Sequence, residues 1–536
     1  MLRPAARRMA WSDRPDPLSR VGLILVALTS AFYLVGLDRF PVVLGGDEAQ
    51  FAVHAAALAE SGRDLNGTRL PIFIRIADPL VPGNSSGIWY QPLLFYAMVP
   101  FVAVLGVSEW SVRLPVALLA VADVWLIYAI GRRWFRDERY AVAAALTMAV
   151  TPAHLIVSRQ ALDYVAPLPF VLGWFLCLMH FLDTGRLRSI TLAGFLLGAA
   201  LFSYIAAWVL MPILFLITAI SIVRSAWPSG RALTACAAAF ALPAVLLAVA
   251  LLTNHEMLSN TLGRYDVGVT ASRPGLAERA ALYWDYFNPS FLFFAGGSSP
   301  TQATSRAGVF LLALLPLILI GLRDIWRTRS DRAMIAMAVI AAAPLPIALT
   351  MPPAAAYSIA RAMTMVPFGV LIAVLGLQAM MRERRSRIFG AALLLAIAFQ
   401  FVMFAVDYCG DYQLRVAPRL DPANVRAIAD TVIAEDAQRS VPAVYLIDNI
   451  DDGGVRWRFY MLKRARRDLW DRTHSLNAAH PLPAIEPGAL VVCYTSDPIA
   501  SRLMNDRYGV AAAIAGVAGE PAALVLRAPE NIRALR

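Results

Sequence analysis

Apolar stretches of roughly twenty residues recur along this chain from Leu18 to about Ala405, and they restrict its fold more than any other feature. A helix needs ~20 apolar residues to cross the hydrocarbon core of a bilayer, so each stretch predicts a membrane-spanning helix. The composition agrees, because 16% of the 536 residues are charged, against roughly 25% in soluble domains. We therefore expect an all-α polytopic membrane body of about 11–13 transmembrane helices over residues 18–406.

The basic residues lie mainly in short loops between the apolar stretches. The formal net charge is +11, and the positive-inside rule places such loops in the cytoplasm together with residues 1–17, so the charge requires no nucleic acid. This topology puts a first outer loop (38–111), a long outer loop (254–307) and the C-terminal domain outside the cytoplasm, as in a multi-pass protein of a bacterial inner membrane. The basic loops are 131–136, 185–188, 224–231, 323–332 and 382–385.

One apolar stretch, 90–107, does not fit a simple crossing. The first outer loop must begin and end on the same side, and the stretch contains Pro92 and Pro100. It is expected either to enter the membrane and return or to lie in the interface.

Residues 407–536 have the composition of a soluble domain. Residues 421–438 predict an amphipathic helix, and 441–447, 489–494 and 523–526 predict short buried strands, which together indicate a small extracytoplasmic α/β domain. If this domain is exported, Cys409 and Cys493 either form one disulfide or remain free thiols. The basic run 463–467 is typical of a solvated face, with contact to anionic headgroups or an anionic glycolipid acceptor as the alternative.

An acidic pair, Asp47-Glu48, follows the first apolar stretch directly on the outer side. Gly45-Gly46 predicts a turn. Asp47 can cap the helix that follows, and Glu48 is then expected in the first turn of that helix. Either Asp47 only caps the helix, or it is a general base at the membrane surface. Asp163 emerges at a span boundary on the same side and is compatible with a shared site. Asp123, in mid-span, is expected to face the bundle interior and form hydrogen bonds there.

Several motifs in order resemble one family of membrane enzymes. They are Asp47-Glu48, then WYQPLLFY at 89–96, EWSVRLP at 109–115, GRRWF at 131–135 and SRQALD at 158–163. The set is similar to the membrane glycosyltransferases of the C-type fold, which include protein O-mannosyltransferases, aminoarabinose–lipid A transferases and related bacterial core-sugar transferases. The likeness is clearest over residues 20–210 and is absent from the C-terminal domain.

The resemblance implies a glycosyltransferase that takes a sugar from a polyprenyl-phosphate donor and passes it, with inversion, to an extracytoplasmic glycolipid or protein acceptor. It implies that Asp47 is the base, that Glu48 supports it and that Asp163 shapes the site. Membrane lipids are the remaining expected partners. The departing phosphate calls for cations, and arginine pairs two phosphate oxygens. The expected substrate-binding residues are Arg361, Arg306, Arg113, Arg159, Tyr90 and Gln91.

Each of these arginines has an alternative role, which is to anchor a helix end among the lipid headgroups. The aminoarabinose transferases contain an acidic–basic pair before the proline of this motif, whereas this chain has Tyr90-Gln91 there. No cofactor is therefore firmly implied, and a divalent metal stays an open alternative.

Two other functions fit a polytopic body, namely a transporter or flippase and a non-catalytic protein of envelope assembly. A transporter should hold its essential charges near the bilayer midplane, whereas Asp47-Glu48 lies outside it. Nor do the two halves of the chain contain a matching pair of broken helices, which weakens the transporter hypothesis.

Overall fold

The structure is a computed structural model that describes residues 20–77, 85–135, 137–265, 275–350, 358–383, 386–447, 450, 454–476 and 484–530. The helices of the membrane body are α1 (Arg20–Ala31), α2 (Gly46–Ser61), α3 (Leu93–Leu105), α4 (Glu109–Trp134), α5 (Glu138–Ala149), α6 (Pro152–Ser158), α7 (Leu168–Thr184), α8 (Leu187–Ala200), α9 (Ala207–Arg224), α10 (Ser229–Thr253), α11 (His255–Tyr265), α12 (Leu276–Asp285), α13 (Leu314–Thr328), α14 (Asp331–Ala342), α15 (Leu345–Thr350), α16 (Met365–Arg382) and α17 (Ser386–Cys409). Single turns lie at Phe32–Leu34, Phe291–Ala295 and Ile359–Ala362.

Within the described ranges, six helices are long and apolar enough to cross a membrane. They are α4, α9, α10, the pair α14 and α15 taken together, α16 and α17. The bent pair α5 and α6 would be a seventh, and four shorter apolar helices begin at Gly22, Leu93, Leu168 and Leu187. The all-helical polytopic body is thus confirmed, and the number of 11–13 spans stays a prediction.

The stretch 90–107 folds as the end of a hairpin followed by a short helix. Strand β1 (Ile74–Ala77) pairs antiparallel with β2 (Ser85–Tyr90), and α3 begins three residues after β2 ends. At 1.5 Å per residue, the 13 residues of α3 extend about 20 Å, which is less than the ~30 Å hydrocarbon core. This length agrees with a helix that does not cross the membrane completely.

Glycines let two helix pairs approach closely. A Cβ atom at Gly376 of α16 would lie 1.8 Å from the carbonyl oxygen of Leu317 in α13, and one at Gly194 of α8 would lie 2.3 Å from that of Cys236 in α10. Helices in membranes associate mainly through such close packing, because lipid tails are as apolar as the side chains. These contacts bring α16 against α13 and α8 against α10.

Asp123 lies in the middle of α4 and is fully buried, as predicted. Its Oδ2 atom lies 3.1 Å from Nε2 of His154, and Nδ1 of His154 lies 2.6 Å from the hydroxyl oxygen of Tyr33. The Tyr33 hydroxyl also donates to the carbonyl of Ala149 at 3.1 Å. The prediction that Asp123 forms hydrogen bonds inside the bundle is therefore confirmed, and this chain of polar groups links the turn Phe32–Leu34 to α4, α5 and α6.

The C-terminal domain is an α/β unit built on a five-stranded sheet. Its helices are α18 (Asp411–Leu420), α19 (Val425–Gln438), α20 (Val455–Lys463), α21 (Arg467–Asp471) and α22 (Pro498–Asn505), and its strands are β3 (Val444–Ile447), β4 (Thr473–Leu476), β5 (Leu490–Tyr494), β6 (Gly509–Ala515) and β7 (Pro521–Arg527). The strand order is β4-β3-β5-β7-β6, with β3 parallel to β4 and β5, and β7 antiparallel to β5 and β6.

The predicted helix and three strands of this domain are confirmed. The helix begins at Val425 because Asn424 is its N-cap and accepts from the amide of Ala427 at 3.4 Å. Strands β4 and β6 were not predicted. The residues of β4 lack a continuous apolar run, and β6 is rich in alanine, which is uncommon in strands. Cys493 is buried in β5 and Cys409 is exposed at the end of α17, and both are free thiols. Of the two expected states, the structure therefore contains the free thiols.

Ion pairs hold the C-terminal domain against the membrane body. The Glu109 side chain, 3% exposed at the start of α4, accepts from Arg426 at 2.8 Å and from Lys463 at 2.5 Å. Arg467 forms a bidentate pair with Glu60 of α2. The basic run 463–467 is therefore not simply a solvated face, because two of its members bind acidic residues of the membrane body.

Candidate active site

Glu48 is buried and fully engaged at the start of α2. Its two carboxylate oxygens accept from Nε of Arg113 at 2.8 Å and Nη2 of Arg113 at 3.0 Å. They also accept from the amides of Gly45 at 3.0 Å and Ala161 at 2.7 Å. Four hydrogen bonds leave this carboxylate no role in proton transfer. Glu48 instead fixes the start of α2 to α4 and to the segment that precedes Asp163, which agrees with the expected supporting role.

Arg113 is completely buried, and every N–H group of its guanidinium donates a hydrogen bond. Besides Glu48, it donates to the carbonyls of Leu37, Pro41 and Val43 at 2.8–2.9 Å. The expectation that Arg113 binds a substrate phosphate does not fit this arrangement, since it has no donor left. The residue stabilises the connection between α1 and α2, whose carbonyls would otherwise be buried without partners.

Arg159 serves the same connection and is 3% exposed. It donates to the carbonyls of Val35 at 2.5 Å and Phe40 at 3.2 Å, with longer contacts to those of Phe32 and Tyr33. Its expected role in phosphate binding is therefore also incorrect. Together, Arg113 and Arg159 bind seven carbonyls between residues 32 and 43, and we call this segment the arginine-bound connection.

Asp47 has different surroundings from its neighbour, since its side chain is exposed. The helix N-cap is Gly45, and the side chain that accepts from the N-cap amide is that of Glu48. Asp47 occupies the second position of α2, so the expectation that it caps the helix is wrong. Its carboxylate stands in the first turn, where the free amides of a helix favour the negative form.

Asp47, Asp163 and Arg361 gather around the phenol of Tyr164. Burial and, after it, the negative charges of Asp47 and Asp163 raise the pKa of Tyr164 to about 12, and the positive charge of Arg361 opposes them. Such effects require these charged groups to lie close to the ring. Asp163 is 3% exposed, whereas Tyr164 and Arg361 are half-buried. We call Asp47, Asp163, Tyr164 and Arg361 the site cluster.

Further polar and aromatic residues surround the site cluster and were not predicted as site residues. Gln302 shares a hydrogen bond with Tyr164 and accepts one from Ser358. The hydroxyl of Tyr286 donates to the Ser358 carbonyl at 3.0 Å, and the ring of Tyr204 meets that of Tyr164 edge to face at 5.5 Å. The long outer loop and the segment before α16 thus reach the site cluster. In the sequence, only the aromatic content of these segments indicated this.

Arg456 of the C-terminal domain reaches the turn that precedes Asp47. It donates to the carbonyl of Leu44 at 3.3 Å and to that of Leu420 at 2.6 Å. A Cβ atom added at Gly46 would lie 3.1 Å from Nη2 of Arg456, so Gly46 leaves room for the guanidinium. No motif in the sequence marked Arg456, because its position depends on how the two domains pack.

Arg306 lies away from the site cluster on an exposed surface. Its guanidinium, 57% exposed, pairs with Asp407 at 2.7 Å and with Asp411 at 3.3 Å. The same two carboxylates hold its pKa above the ordinary value for arginine. The expectation that Arg306 binds substrate is therefore not supported by its position, and Arg361 is the preferred arginine that the structure brings to the acidic residues.

Tyr90 and Gln91 lie beside the second turn of α2. The ring of Tyr90 meets that of Phe51 edge to face at 5.1 Å, and Phe51 follows Asp47 by one helical turn. Gln91 is buried at 2% exposure between β2 and α3. Tyr90 therefore borders the site, whereas Gln91 has little access to a ligand.

The described residues contain no group of three or more His, Cys, Asp or Glu side chains that could hold a metal ion. At the place of the family's acidic–basic pair, Gln91 provides a neutral amide in a buried position. The residues present in the described ranges thus do not build a metal centre.

The fold, a polytopic helical body followed by a small α/β domain, is similar to the C-type fold of solved membrane glycosyltransferases. The structure of ArnT from Cupriavidus metallidurans bound to undecaprenyl phosphate is similar, with a TM-score of 0.59 and 14% identity over 95% of this chain and 98% of that one. The archaeal oligosaccharyltransferase AglB from Archaeoglobus fulgidus, in complex with an inhibitory peptide and a dolichol-phosphate, is similar with a TM-score of 0.50 and 13% identity, over 80% of this chain and 62% of that one.

The sequence itself matches a related family over part of its length. Residues 90–248 match the profile of the dolichyl-phosphate-mannose-protein mannosyltransferases. YycA of Bacillus subtilis (strain 168), a protein named as a mannosyltransferase, is 34% identical over 110 residues, which are 20% of this chain and 16% of that protein. The resemblance to this group of membrane glycosyltransferases is therefore confirmed, and the match spans a small part of the curated relative.

Proposed function

We propose that this protein is an inverting glycosyltransferase that moves a sugar from a polyprenyl phosphate to an acceptor outside the cytoplasm. The observation that carries the proposal is the exposed carboxylate of Asp47 beside Asp163, Tyr164 and Arg361. A base and a cation grouped at the ends of membrane helices suit a reaction between a hydroxyl and a lipid-linked phosphate ester. The similar structures, which contain undecaprenyl phosphate or dolichol-phosphate, support this class of donor.

Asp47 is the proposed general base. The acceptor hydroxyl gives its proton to the Asp47 carboxylate while its oxygen forms a bond to the anomeric carbon of the sugar. The bond between that carbon and the phosphate oxygen breaks on the opposite face, so the anomeric configuration inverts. An exposed carboxylate in the first turn of a helix remains ionised and accessible, which a base of this kind requires.

Arg361 is the proposed partner of the departing phosphate. The phosphate leaves as an anion, so it needs positive charge instead of a proton donor, and a guanidinium can bind two of its oxygens. Arg361 is half-buried in the turn Ile359–Ala362. Burial raises the pKa of Tyr164 and of Tyr286, and the positive charge of Arg361 opposes this in both phenols, so Arg361 lies near both rings. Tyr164 and Tyr286 are then placed to contact the sugar or the phosphate.

Asp163, Glu48 and the arginine-bound connection are proposed to position this machinery. Glu48 accepts from the amide of Ala161, two residues before Asp163, and from the amide of Gly45, two residues before Asp47. One buried carboxylate therefore fixes the distance between the segments that carry both site carboxylates. A reacting geometry held in this way lowers the entropy lost on reaching the transition state.

The experiment that tests the proposal compares cells that contain the wild-type protein with cells that contain Asp47→Asn, using mass spectrometry of envelope glycolipids and glycoproteins. We expect one hexose, pentose or uronic acid to be missing from a defined glycolipid or glycoprotein in the Asp47→Asn cells, with the protein present in the membrane at normal level. Normal modification by Asp47→Asn at equal abundance would rule out Asp47 as the base. The matched control is Asp38→Asn, which changes an exposed residue of the arginine-bound connection. Cells with this variant should modify the acceptor normally.

A further inference from the structure

A cavity of about 290 Å³ lies where the C-terminal domain meets the end of α2. Its walls come from the second half of α2, from the turn that follows it and from α20. The wall includes Ala57 and Glu60 of α2, Asp64 of the turn, and Arg458 and Leu462 of the C-terminal domain. The cavity therefore exists only when the two domains are packed together, and it is separate from the site cluster at the other end of α2.

Arg458 is the unusual residue of this cavity. It is half-buried, its guanidinium lies 5.0 Å from the centre of the Trp470 ring, and among the described residues it forms neither a hydrogen bond nor an ion pair. Burial and the nearby charge of Arg467 lower the pKa of Arg458, with Glu60 and Asp471 opposing. A partly desolvated cation without an anionic partner is costly, so an anion that entered the cavity would be bound favourably.

The other ionisable groups around the cavity leave Arg458 uncompensated. Glu60 is engaged by Arg467 in a bidentate pair, which also lowers the pKa of Glu60. Asp64 is buried and accepts from the amides of Asn66 and Thr68, so its carboxylate holds the turn together.

Two further basic groups belong to these surroundings. Arg63 is exposed and donates to the carbonyl of Gly67. His54, buried in α2, has its pKa lowered to about 3 by burial and by the charge of Arg458, and is therefore neutral. Glu60 and Asp471 act on Arg458 through their charges, but within the described residues neither carboxylate forms an ion pair with it.

We propose that this cavity is a subsite for a phosphate group, with the Arg458 guanidinium as its main ligand. The inference rests on the proposed function, because it assigns the phosphate to the acceptor that receives the sugar. Ala57 and Asp47 lie ten residues apart on α2, which corresponds to about 15 Å. An acceptor whose phosphate occupies the cavity could thus present a hydroxyl to Asp47 while both contact the same helix.

The phosphate can come from a phospholipid-type headgroup or from a water-soluble phosphate, and the two sources share the same recognition chemistry. Inorganic phosphate and dioctanoyl phosphatidic acid are suitable probes, with dioctanoyl phosphatidylcholine as the lipid that lacks an accessible phosphate monoester. Full-length protein in detergent is heated with each probe at constant ionic strength, and the shift of its melting temperature gives an apparent Kd.

We expect at least one of the two phosphate probes to raise the melting temperature of the wild-type protein, and phosphatidylcholine to leave it unchanged. Arg458→Gln should weaken the apparent Kd by about 10- to 100-fold, the range expected for a lost charge-assisted hydrogen-bonded pair. The matched control is Arg464→Gln, which removes an exposed arginine that pairs with Asp430 outside the cavity, and it should respond like the wild type.

A second variant keeps the test valid if Arg458→Gln folds poorly. Ala57→Leu fills the cavity from α2 without changing any charge, and it should weaken phosphate binding to a similar extent. The subsite is ruled out if neither probe stabilises the wild type, or if Arg458→Gln and Ala57→Leu both respond like the wild type. A larger response to phosphatidic acid than to inorganic phosphate supports a lipid-linked acceptor, and equal responses support recognition of the phosphate alone.

The proposed function and the subsite fail in different ways. Asp47→Asn should bind the probes like the wild type, because Asp47 does not line the cavity. Normal sugar transfer by Asp47→Asn together with an Arg458-dependent response would overturn the proposed base and leave the subsite standing. An Asp47-dependent transfer without any Arg458-dependent response would overturn the subsite alone.

Discussion

Asp47 and Glu48 are neighbours at the start of α2, but they belong to two very different polar regions. Glu48 is 2% exposed and receives four hydrogen bonds from Arg113 and two backbone amides, whereas the Asp47 side chain is exposed within the site cluster. A carboxylate whose oxygens are all engaged can hold segments together but cannot exchange a proton. The contrast indicates that burial and hydrogen bonding, and not the type of residue, distinguish Glu48, which holds segments together, from Asp47, the proposed base.

The arginines divide in the same way. Arg113 and Arg159 donate their hydrogen bonds to the carbonyls of the arginine-bound connection. Arg361, in contrast, is half-buried next to two tyrosines and two carboxylates. All three are arginines near the ends of apolar stretches in the sequence. Their different functions follow from which backbone carbonyls the fold leaves without partners.

The largest expected effect is on the structural side of this comparison. Arg113→Ala leaves Glu48 buried without its counter-charge and three carbonyls without donors, so the free energy of unfolding should fall by about 3–5 kcal/mol. Denaturant titration in mixed micelles measures the change. Arg464→Ala removes an exposed pair and should cost at most about 1 kcal/mol. Equal losses in the two variants would contradict the structural role of Arg113.

On the chemical side, Arg361→Gln should weaken binding of undecaprenyl phosphate by about 10- to 100-fold with little loss of stability, since a half-buried cation at the phosphate is removed. Binding is measured by the shift in melting temperature as the lipid phosphate is added. Arg306→Gln is the control, because Arg306 is exposed and already paired with Asp407 and Asp411. A stronger effect in Arg306→Gln than in Arg361→Gln would contradict this assignment and indicate that Arg306 binds the phosphate.

Glu109 provides an intermediate case, since its own side chain is buried but its partners Arg426 and Lys463 are 31% and 24% exposed. Glu109→Gln should lower the free energy of unfolding by about 1.5–3 kcal/mol, less than the loss of Arg113. Limited proteolysis should cut α20 faster in this variant, because the C-terminal domain is held less firmly. Unchanged cleavage of α20 would show that the pair does not hold the domains together.

The smallest effect is a pH dependence in the site cluster. Burial and two nearby carboxylates raise the pKa of Tyr164 to about 12, so the folded protein keeps this phenol protonated while the unfolded chain loses the proton near pH 10. The stability from Tyr164 is thus fully present below pH 10 and is lost as the pH rises towards 12. Between pH 10 and 12, the free energy of unfolding of Tyr164→Phe should fall by up to about 2 kcal/mol less than that of the wild type. Parallel unfolding curves for the two proteins between pH 10 and 12 would contradict the buried phenol.

Sequence reasoning reached the fold class, because apolar length and charged loops reflect the membrane directly. It also selected Asp47 and Asp163, whose catalytic roles remain proposals. Asp123 could also be interpreted correctly, since a carboxylate in mid-span needs partners inside the bundle. The amphipathic helix and three strands of the C-terminal domain followed from their apolar periodicity.

The roles of Arg113, Arg159, Arg306 and Arg456 could not be predicted, because each depends on contacts between residues far apart in the chain. Arg456, for example, binds the carbonyl of Leu44, more than 400 positions earlier. The N-cap was misassigned for a local reason: Gly45 caps α2 and Glu48 completes the cap, so Asp47 is left for another role. The pairing of Lys463 and Arg467 with Glu109 and Glu60 likewise appears only when the domains are packed.

The comparison between Asp47 and Glu48 is tested most directly by measuring sugar transfer per folded molecule in Asp47→Asn and Glu48→Gln membranes, alongside their melting temperatures. We expect Asp47→Asn to melt like the wild type and to lose transfer by about 100-fold or more. Glu48→Gln should melt at a clearly lower temperature, while its folded fraction retains transfer within about tenfold. The opposite pattern, with transfer lost in stable Glu48→Gln and retained in Asp47→Asn, would contradict the account.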